Sequence, residues 1–322
     1  SEIGLNVTNK KYMKKVMMES GIPTSKYVQV DNNSNVDVDA MGFRFPLIVK
    51  PVDCSGAAGT RKIMSSAELP DAIENACKWS RTKEAIVEEF NIGYEISAYA
   101  FIKNGKAKLL LTQKRYSTME NGLVKCYGTS SPAIISDEIA ARVEQIGSDI
   151  AKAFNFDNTP LFYQMIINGD DISVIEFSPR LGGGVSYKFI ERNARYDIIN
   201  AAIDSWLGIE NNRETDFQHE LYLLYQVQGS CDCIFGSIEG YQEMIDKGYI
   251  EEIFFHKTKG AHVSRDKASA YRLAAIMIRG NDIQECTEKL AFAMKHVKAL
   301  DIDGNDITDR TPVLYEDIEV SF

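Results

Sequence analysis

The segment Gln164 to Gly184 (QMIINGDDISVIEFSPRLGGG) gathers residue types that could hold a divalent cation and an anion together. Period-two alternation puts Gln164 on one strand of a hairpin and Glu176 on the returning strand, with 166–172 as the turn region, so the two side chains can share a sheet face. Glu176, Ser178 and Arg180 alternate in the same way. A carboxylate, an amide oxygen and a hydroxyl are hard ligands of the kind Mg²⁺ accepts, and Mg²⁺ is usually completed by water and substrate phosphates. The guanidinium of Arg180 would suit a phosphate group through its planar set of donors. On spacing alone, an exposed polar face ending in a Gly-rich turn reads equally well.

Two other stretches carry chemistry. Lys50 ends the apolar run FPLIVK and is followed by the small-residue loop SGAAGT, Ser55 to Thr60. Such a loop lets backbone amides approach phosphate oxygens closely, although it fits neither GxxxxGK[ST] nor GxGxxG. A solvated lysine is the plain alternative. Lys10 falls in the first turn of a helix, where the dipole disfavours a cation unless an anion is held nearby; Lys11, Lys14 and Lys15 dilute that signal. In Glu88-Glu89-Phe90-Asn91-Ile92-Gly93-Tyr94-Glu95, a carboxylate could accept an adenine amino proton, linker backbone groups could read the base edge, and a second carboxylate could hold ribose hydroxyls.

The elements that must position these residues follow from periodicity. A helix is expected from Thr8 to Gly21, and strands at 26–30, 45–50 and 85–90. A capping box, Ser65 with Glu68, opens a helix carrying Leu69, Ile73, Ala76 and Cys77 inward. Asn104-Gly105 and Asn168-Gly169 each sit between alternating runs and predict hairpins over 95–112 and 161–177. Ser136 caps a helix with Ile139, Val143, Ile146 and Ile150 on one face. Another helix spans 196–207, the polar run 210–216 is a linker, strands lie near 221–228 and 274–279, and a long helix covers 282–300. Strands arriving in hairpins with helices between them predict an α+β fold with antiparallel sheets.

The 322 residues carry 36 basic against 46 acidic side chains, a formal charge of −10, which disfavours nucleic acid and anionic lipid as partners. Length predicts about two domains. No apolar run is long enough for a membrane span. Six irregularly spaced cysteines read as free thiols in a reducing, cytoplasmic setting, and Cys231-Asp232-Cys233 carries little functional weight.

Taken in order, over about residues 8 to 208, these stretches resemble the ATP-grasp superfamily, in the branch of the carbamoyl-phosphate synthetase large subunit and biotin carboxylase. The resemblance implies two α+β lobes holding ATP between them: 1–30 as opening helix and linker, 31–92 as a small lid lobe, 93–209 as a large lobe with the metal site. It also implies a small C-terminal α/β domain over 210–322. Members normally carry a preceding α/β domain, and with seven residues before Thr8 that domain is expected to be absent from this chain. By resemblance, Lys10 and Lys50 contact ATP phosphates, and Ser55 and Gly56 lie in the loop closing over them. Glu88 takes the adenine amino group, the backbones of Glu89 and Asn91 flank the base, and Glu95 binds ribose. Gln164, Glu176 and Ser178 hold Mg²⁺, or Mn²⁺ in its place, and Arg180 with Lys50 acts on the transferred phosphate. The family's usual run is Glu-x-Asn-Pro-Arg, so Ser178 is a departure. The implied activity is an ADP-forming ligase joining a small carboxylate to an amine, with an oligomer left open. The alternatives are a carbamoyl-phosphate-synthase-like or carboxylase-like enzyme, and a non-catalytic ATP-binding module.

Overall fold

The computed structural model describes residues 4, 7–54, 58–120, 123–218, 220–265 and 269–322, and it resolves into two compact units. The first comprises 1–110, 135–187 and 196–215; the second comprises 111–134, 188–195 and 216–322. The chain thus passes between units inside one long strand, and the C-terminal unit recruits two stretches that the sequence reading gave to the large lobe. The reason is pairing: residues 128–131 are in register with 222–225, which binds the earlier segment to the C-terminal strands.

The first unit opens with helix α1 (Lys10–Glu19), capped by Asn9, whose side chain accepts from the Lys11 N–H. Met13 and Met17 are buried along α1, and Gly21 follows its end with φ +72°, a left-handed turn suited to glycine. A four-stranded antiparallel sheet comes next: β1 (Tyr27–Asp31), β2 (Leu47–Pro51), β3 (Arg61–Ile63) and β4 (Glu84–Glu89), in the order β1-β4-β2-β3. Helix α2 (Leu69–Trp79) covers it. The Glu68 carboxylate accepts from the N–H groups of Met64 and Ser65 just before α2, as the capping box predicts. Leu69, Ile73, Ala76 and Cys77 all lie in the core with Leu47, Val49 and Val87. Each such fully buried large apolar side chain contributes about 1.5–3 kcal/mol.

The hairpins appear as expected. β5 (Tyr94–Lys103) turns through Asn104 and Gly105, both at positive φ, into β6 (Lys106–Glu120). After β7 (Leu123–Ser131) of the second unit comes helix α3 (Asp137–Phe154), with the Ser136 hydroxyl accepting from the Ile139 N–H. Ile139, Val143, Ile146 and Ile150 are buried, and α3 packs on β5. Gly147 is required there: a Cβ would stand 2.9 Å from the Ala107 methyl and 3.0 Å from the Tyr163 hydroxyl. Strands β8 (Thr159–Asn168) and β9 (Asp171–Ser178) form the second hairpin, with order β5-β8-β9. Pairing continues to Asn168 opposite Asp171, so the turn is only 169–170, much tighter than the expected 166–172.

Two corrections concern helices. Helix α4 (Ser186–Ala194) starts directly after a Gly-rich run that reads as a turn. Helix α5 (Ile198–Trp206) matches expectation, with Gly208 past its end at φ +73°. In the second unit β10 (Leu221–Gln228) pairs with β7 and with β11 (Arg272–Gly280), and helix α6 (Ile283–Met294) packs against β10 and β11. The helix expected to reach residue 300 stops at Met294. Beyond it, buried Val297 and Ala299 flank exposed Lys298, the period of a strand, and 298–301 pairs with 235–239. The pairings described in both units are antiparallel, as expected. Among the described residues no helix is long and apolar enough to cross a membrane, and the six cysteines are free.

Candidate active site

The site lies within the first unit and is assembled from α1, β2, β4 and the β5-β8-β9 sheet. Gln164 and Glu176 are directly opposed in the β8–β9 register, so the predicted sharing of one face is met. Immediately beyond them the register shifts, with Met165 opposite Val174 and Ile175 unpaired, a bulge of the kind that re-aims neighbouring side chains. The Gln164 amide nitrogen donates to Glu95 Oε1 at 2.7 Å, which turns its carbonyl oxygen the other way. Ser178, opposite Phe162, ends β9. Alternation does not extend to Arg180: its N–H turns back to Ser178 O at 2.9 Å, and its exposed guanidinium lies 5.7 Å from the Phe162 ring centre and donates to Leu181 O.

The lysines meet these strands from the other side. Lys10 Nζ sits 3.8 Å from Glu176 Oε2 and donates to Cys54 O at 2.5 Å. Burial lowers its pKa, while Glu176 opposes that fall. A carboxylate is thus the anion that a cation in the first helical turn calls for. Lys50, buried at the end of β2, contacts Glu88 Oε1 at 2.5 Å, and Lys14 contacts Glu88 Oε2 at 2.7 Å. Glu88 is 4% exposed, and burial alone would raise its pKa; the attraction of Lys50, then of Lys14, outweighs this and holds the carboxyl below the usual range. Burial brings Lys14 down to about 8, against the pull of Glu88 and with a further push from Lys50.

The stretch expected to flank the base, Glu89 to Asn91, is also held by hydrogen bonds. The Glu89 N–H donates to Lys26 O at 3.1 Å, and its side chain faces Arg44, with Oε1 accepting from the Arg44 N–H at 3.1 Å. The Asn91 side chain donates to Ser25 Oγ at 2.8 Å and Ser173 Oγ at 2.9 Å, which fixes the backbone at that point. Ser55 and Gly56 lie outside the described residues.

Sequence reasoning missed Lys14. Its signal was the four-residue step from Lys10, which stacks the two on one helix face, together with its position beside Met13 and Met17. The run of four lysines hid that step.

Chemically, three ammonium groups (Lys10, Lys14, Lys50) and three carboxylates (Glu88, Glu176 and, through the Gln164 amide, Glu95) meet there, and the positive excess is local, where Lys14 and Lys50 share the buried Glu88. Such a site favours a polyanion. The opposed Gln164 and Glu176, with Ser178 two residues on, offer one carboxylate and two neutral oxygens. That is a sparse set, and no three His, Cys, Asp or Glu side chains converge among the described residues. The donors fit Mg²⁺, which is commonly held by one or two carboxylates and completed by phosphate oxygens and water.

A profile of the ATP-grasp domain matches residues 43–188. Among curated proteins, the formate-dependent phosphoribosylglycinamide formyltransferase of Prochlorococcus marinus is 28% identical over 166 residues, 50% of this chain and 42% of that protein. The D-alanine--D-alanine ligase of Flavobacterium johnsoniae is 32% identical over 142 residues, 42% of this chain and 43% of the ligase. The chain therefore spans about two-fifths of the length of these relatives. Among solved structures, an L-amino acid ligase from Bacillus licheniformis superposes with a TM-score of 0.72 at 16% identity, covering 92% of this chain and 73% of that one. Biotin carboxylase from Campylobacter jejuni gives 0.72 at 14% identity, covering 93% and 68%. At these identities the structural likeness speaks to the fold.

Proposed function

We propose, from the premise that residues 43–188 of this chain are an ATP-grasp domain, that the protein is an ADP-forming ligase that joins a small carboxylate to an amine. The observation that carries the reading is the convergence of Lys10, Lys50 and the Gln164–Glu176 pair, from three separated chain segments, on one cation-rich and oxygen-rich site. Relatives named for formate, D-alanine and L-amino acids support a small carboxylate as the class of substrate.

In this reading the γ-phosphate of ATP passes to the substrate carboxylate, giving an acyl phosphate and ADP; the amine then attacks the acyl carbon and phosphate leaves. This demands charge neutralisation and alignment rather than a nucleophilic side chain. Lys10, Lys50 and Arg180 balance charge on the phosphates. Gln164, Glu176 and Ser178 would hold Mg²⁺, or Mn²⁺, and the ion when bound supplies further neutralisation at the phosphate oxygens. The Glu88 carboxylate has lone pairs beyond those its lysines use and can accept from the adenine amino group. Glu95 holds ribose, and the backbones at 89 and 91 flank the base. The free thiols agree with a reducing cytoplasmic setting.

The deciding experiment is product identification with Mg·ATP and a panel of carboxylates and amines. ADP and phosphate released only when both acceptors are present support the ligase. AMP and pyrophosphate sink it, and binding without turnover across the panel favours a nucleotide-binding module.

A further inference from the structure

Lys14 is 1% exposed, and nothing in the proposed chemistry uses it. We infer that Lys14 is a positioning residue for nucleotide binding: it keeps the buried Glu88 carboxylate compensated when Lys50 leaves that carboxylate for a phosphate. The inference rests on the reading that Lys50 meets a nucleotide here.

The geometry separates the two lysines cleanly. Lys50 contacts Glu88 Oε1 at 2.5 Å and Lys14 contacts Oε2 at 2.7 Å, so each oxygen has its own ammonium. In the structure Lys50 is engaged by Glu88, and to serve a phosphate it must give up or share that contact. A carboxylate stripped of its only partner at this depth is strongly unfavourable. With Lys14 in place, the transfer of Lys50 leaves an intact ion pair behind. Before the transfer, two ammonium groups on one carboxylate leave a buried excess of positive charge, which a phosphate satisfies.

Lys14 is itself held in place. Its ammonium donates to Thr24 Oγ1 at 2.7 Å, and the Thr24 hydroxyl donates onward to Val174 O at 2.9 Å on β9. The Val174 N–H returns a bond to Pro23 O at 2.8 Å. Val174 is two residues before Glu176, so the strand that carries the metal-side carboxylate also fixes the cation acting on β4 of the other sheet. Lys14 therefore relates the Glu88 side of the site to the Glu176 side without touching either phosphate or metal.

The test is a double-mutant cycle on the full chain, read as Mg·ATP affinity by calorimetry with circular dichroism confirming the fold. Lys14→Met is expected to weaken binding on the order of a hundredfold, because Lys50 is then retained by Glu88. In a Glu88→Gln background the same change should cost less than about threefold, since a neutral amide needs no counter-ion. Equal losses in both backgrounds, or no loss in the first, overturn the inference. If Lys14→Met does not fold, Thr24→Val carries the test: a loss of roughly tenfold is expected from removing one hydrogen bond to a charged group, and unchanged affinity overturns the inference. Wild-type chain that binds no Mg·ATP refutes the nucleotide reading itself, whereas wild-type binding with an unaffected Lys14→Met refutes only the role of Lys14.

Discussion

Replacing Lys50 with methionine separates a phosphate-binding role from a structural one. The side chain is buried and makes a 2.5 Å contact with Glu88, so at first sight its removal should leave a buried charge unpaired. Glu88 nevertheless keeps Lys14 at 2.7 Å, and methionine fills most of the vacated volume without a charge to desolvate. The large cost of breaking a buried pair comes from the charge left uncompensated, and Lys14 prevents that here, so stability should change by no more than about 1 kcal/mol. Nucleotide binding has no such reserve. A hydrogen bond to a charged group has a net worth of about 1.5–3 kcal/mol, which at about 1.4 kcal/mol per decade is roughly a 10- to 150-fold rise in Kd. Calorimetric titration with Mg·ATP gives the Kd and urea unfolding gives the stability. A Kd within about twofold of wild type would refute the phosphate role. A stability loss of about 3 kcal/mol or more would show that Glu88 depends on Lys50 rather than Lys14.

Glu176→Gln should abolish Mg²⁺-dependent turnover and leave the melting temperature nearly unchanged, because the carboxylate is partly exposed and its lysine stands at 3.8 Å; retained activity would move the metal site elsewhere. The Glu88 carboxyl is held below its ordinary value of 4.5, so its contribution to stability is present above about 4.5 and is lost as pH falls through the lower folded-state value. Urea unfolding at a series of acidic pH values should therefore show a steeper decline for wild type than for Glu88→Gln, and parallel curves would contradict this account.

The parts of the site legible in the sequence were those written in short-range pattern. Alternation was enough to put Gln164 and Glu176 on one sheet face, but the Asn-Gly turn alone would set Gln164 opposite Ile175, and the bulge there brings Glu176 into register. Lys10 was legible because a cation in a first helical turn asks for an anion, and Glu176 supplies it. What stayed hidden depended on contacts between distant segments. Lys14 looks like its neighbours Lys11 and Lys15 until Glu88 and Thr24 are brought beside it. Arg180 was expected on the face of β9, but alternation ends with the strand at Ser178. Helix α4 was masked by the glycines before it. The final part of the long helix failed because Val297 fits a helical spacing and a strand spacing equally, and pairing with 235–239 decided between them.

The bonds joining Pro23 and Thr24 to Val174, with Asn91 bridging Ser25 and Ser173, have a consequence for synthesis on the ribosome. Closing a contact across 150 residues waits for that length of chain to emerge, on the order of ten seconds or more at ordinary elongation rates. Through that interval α1 is made, yet the strand that will receive its end is not, and Met13 and Met17 lack part of their final surroundings. The four-stranded sheet can form from local pairings meanwhile, bringing Glu88 to Lys14 and Lys50 early. Glu176 is the last of these opposed charges to emerge, and helix α5 of the same unit still follows it.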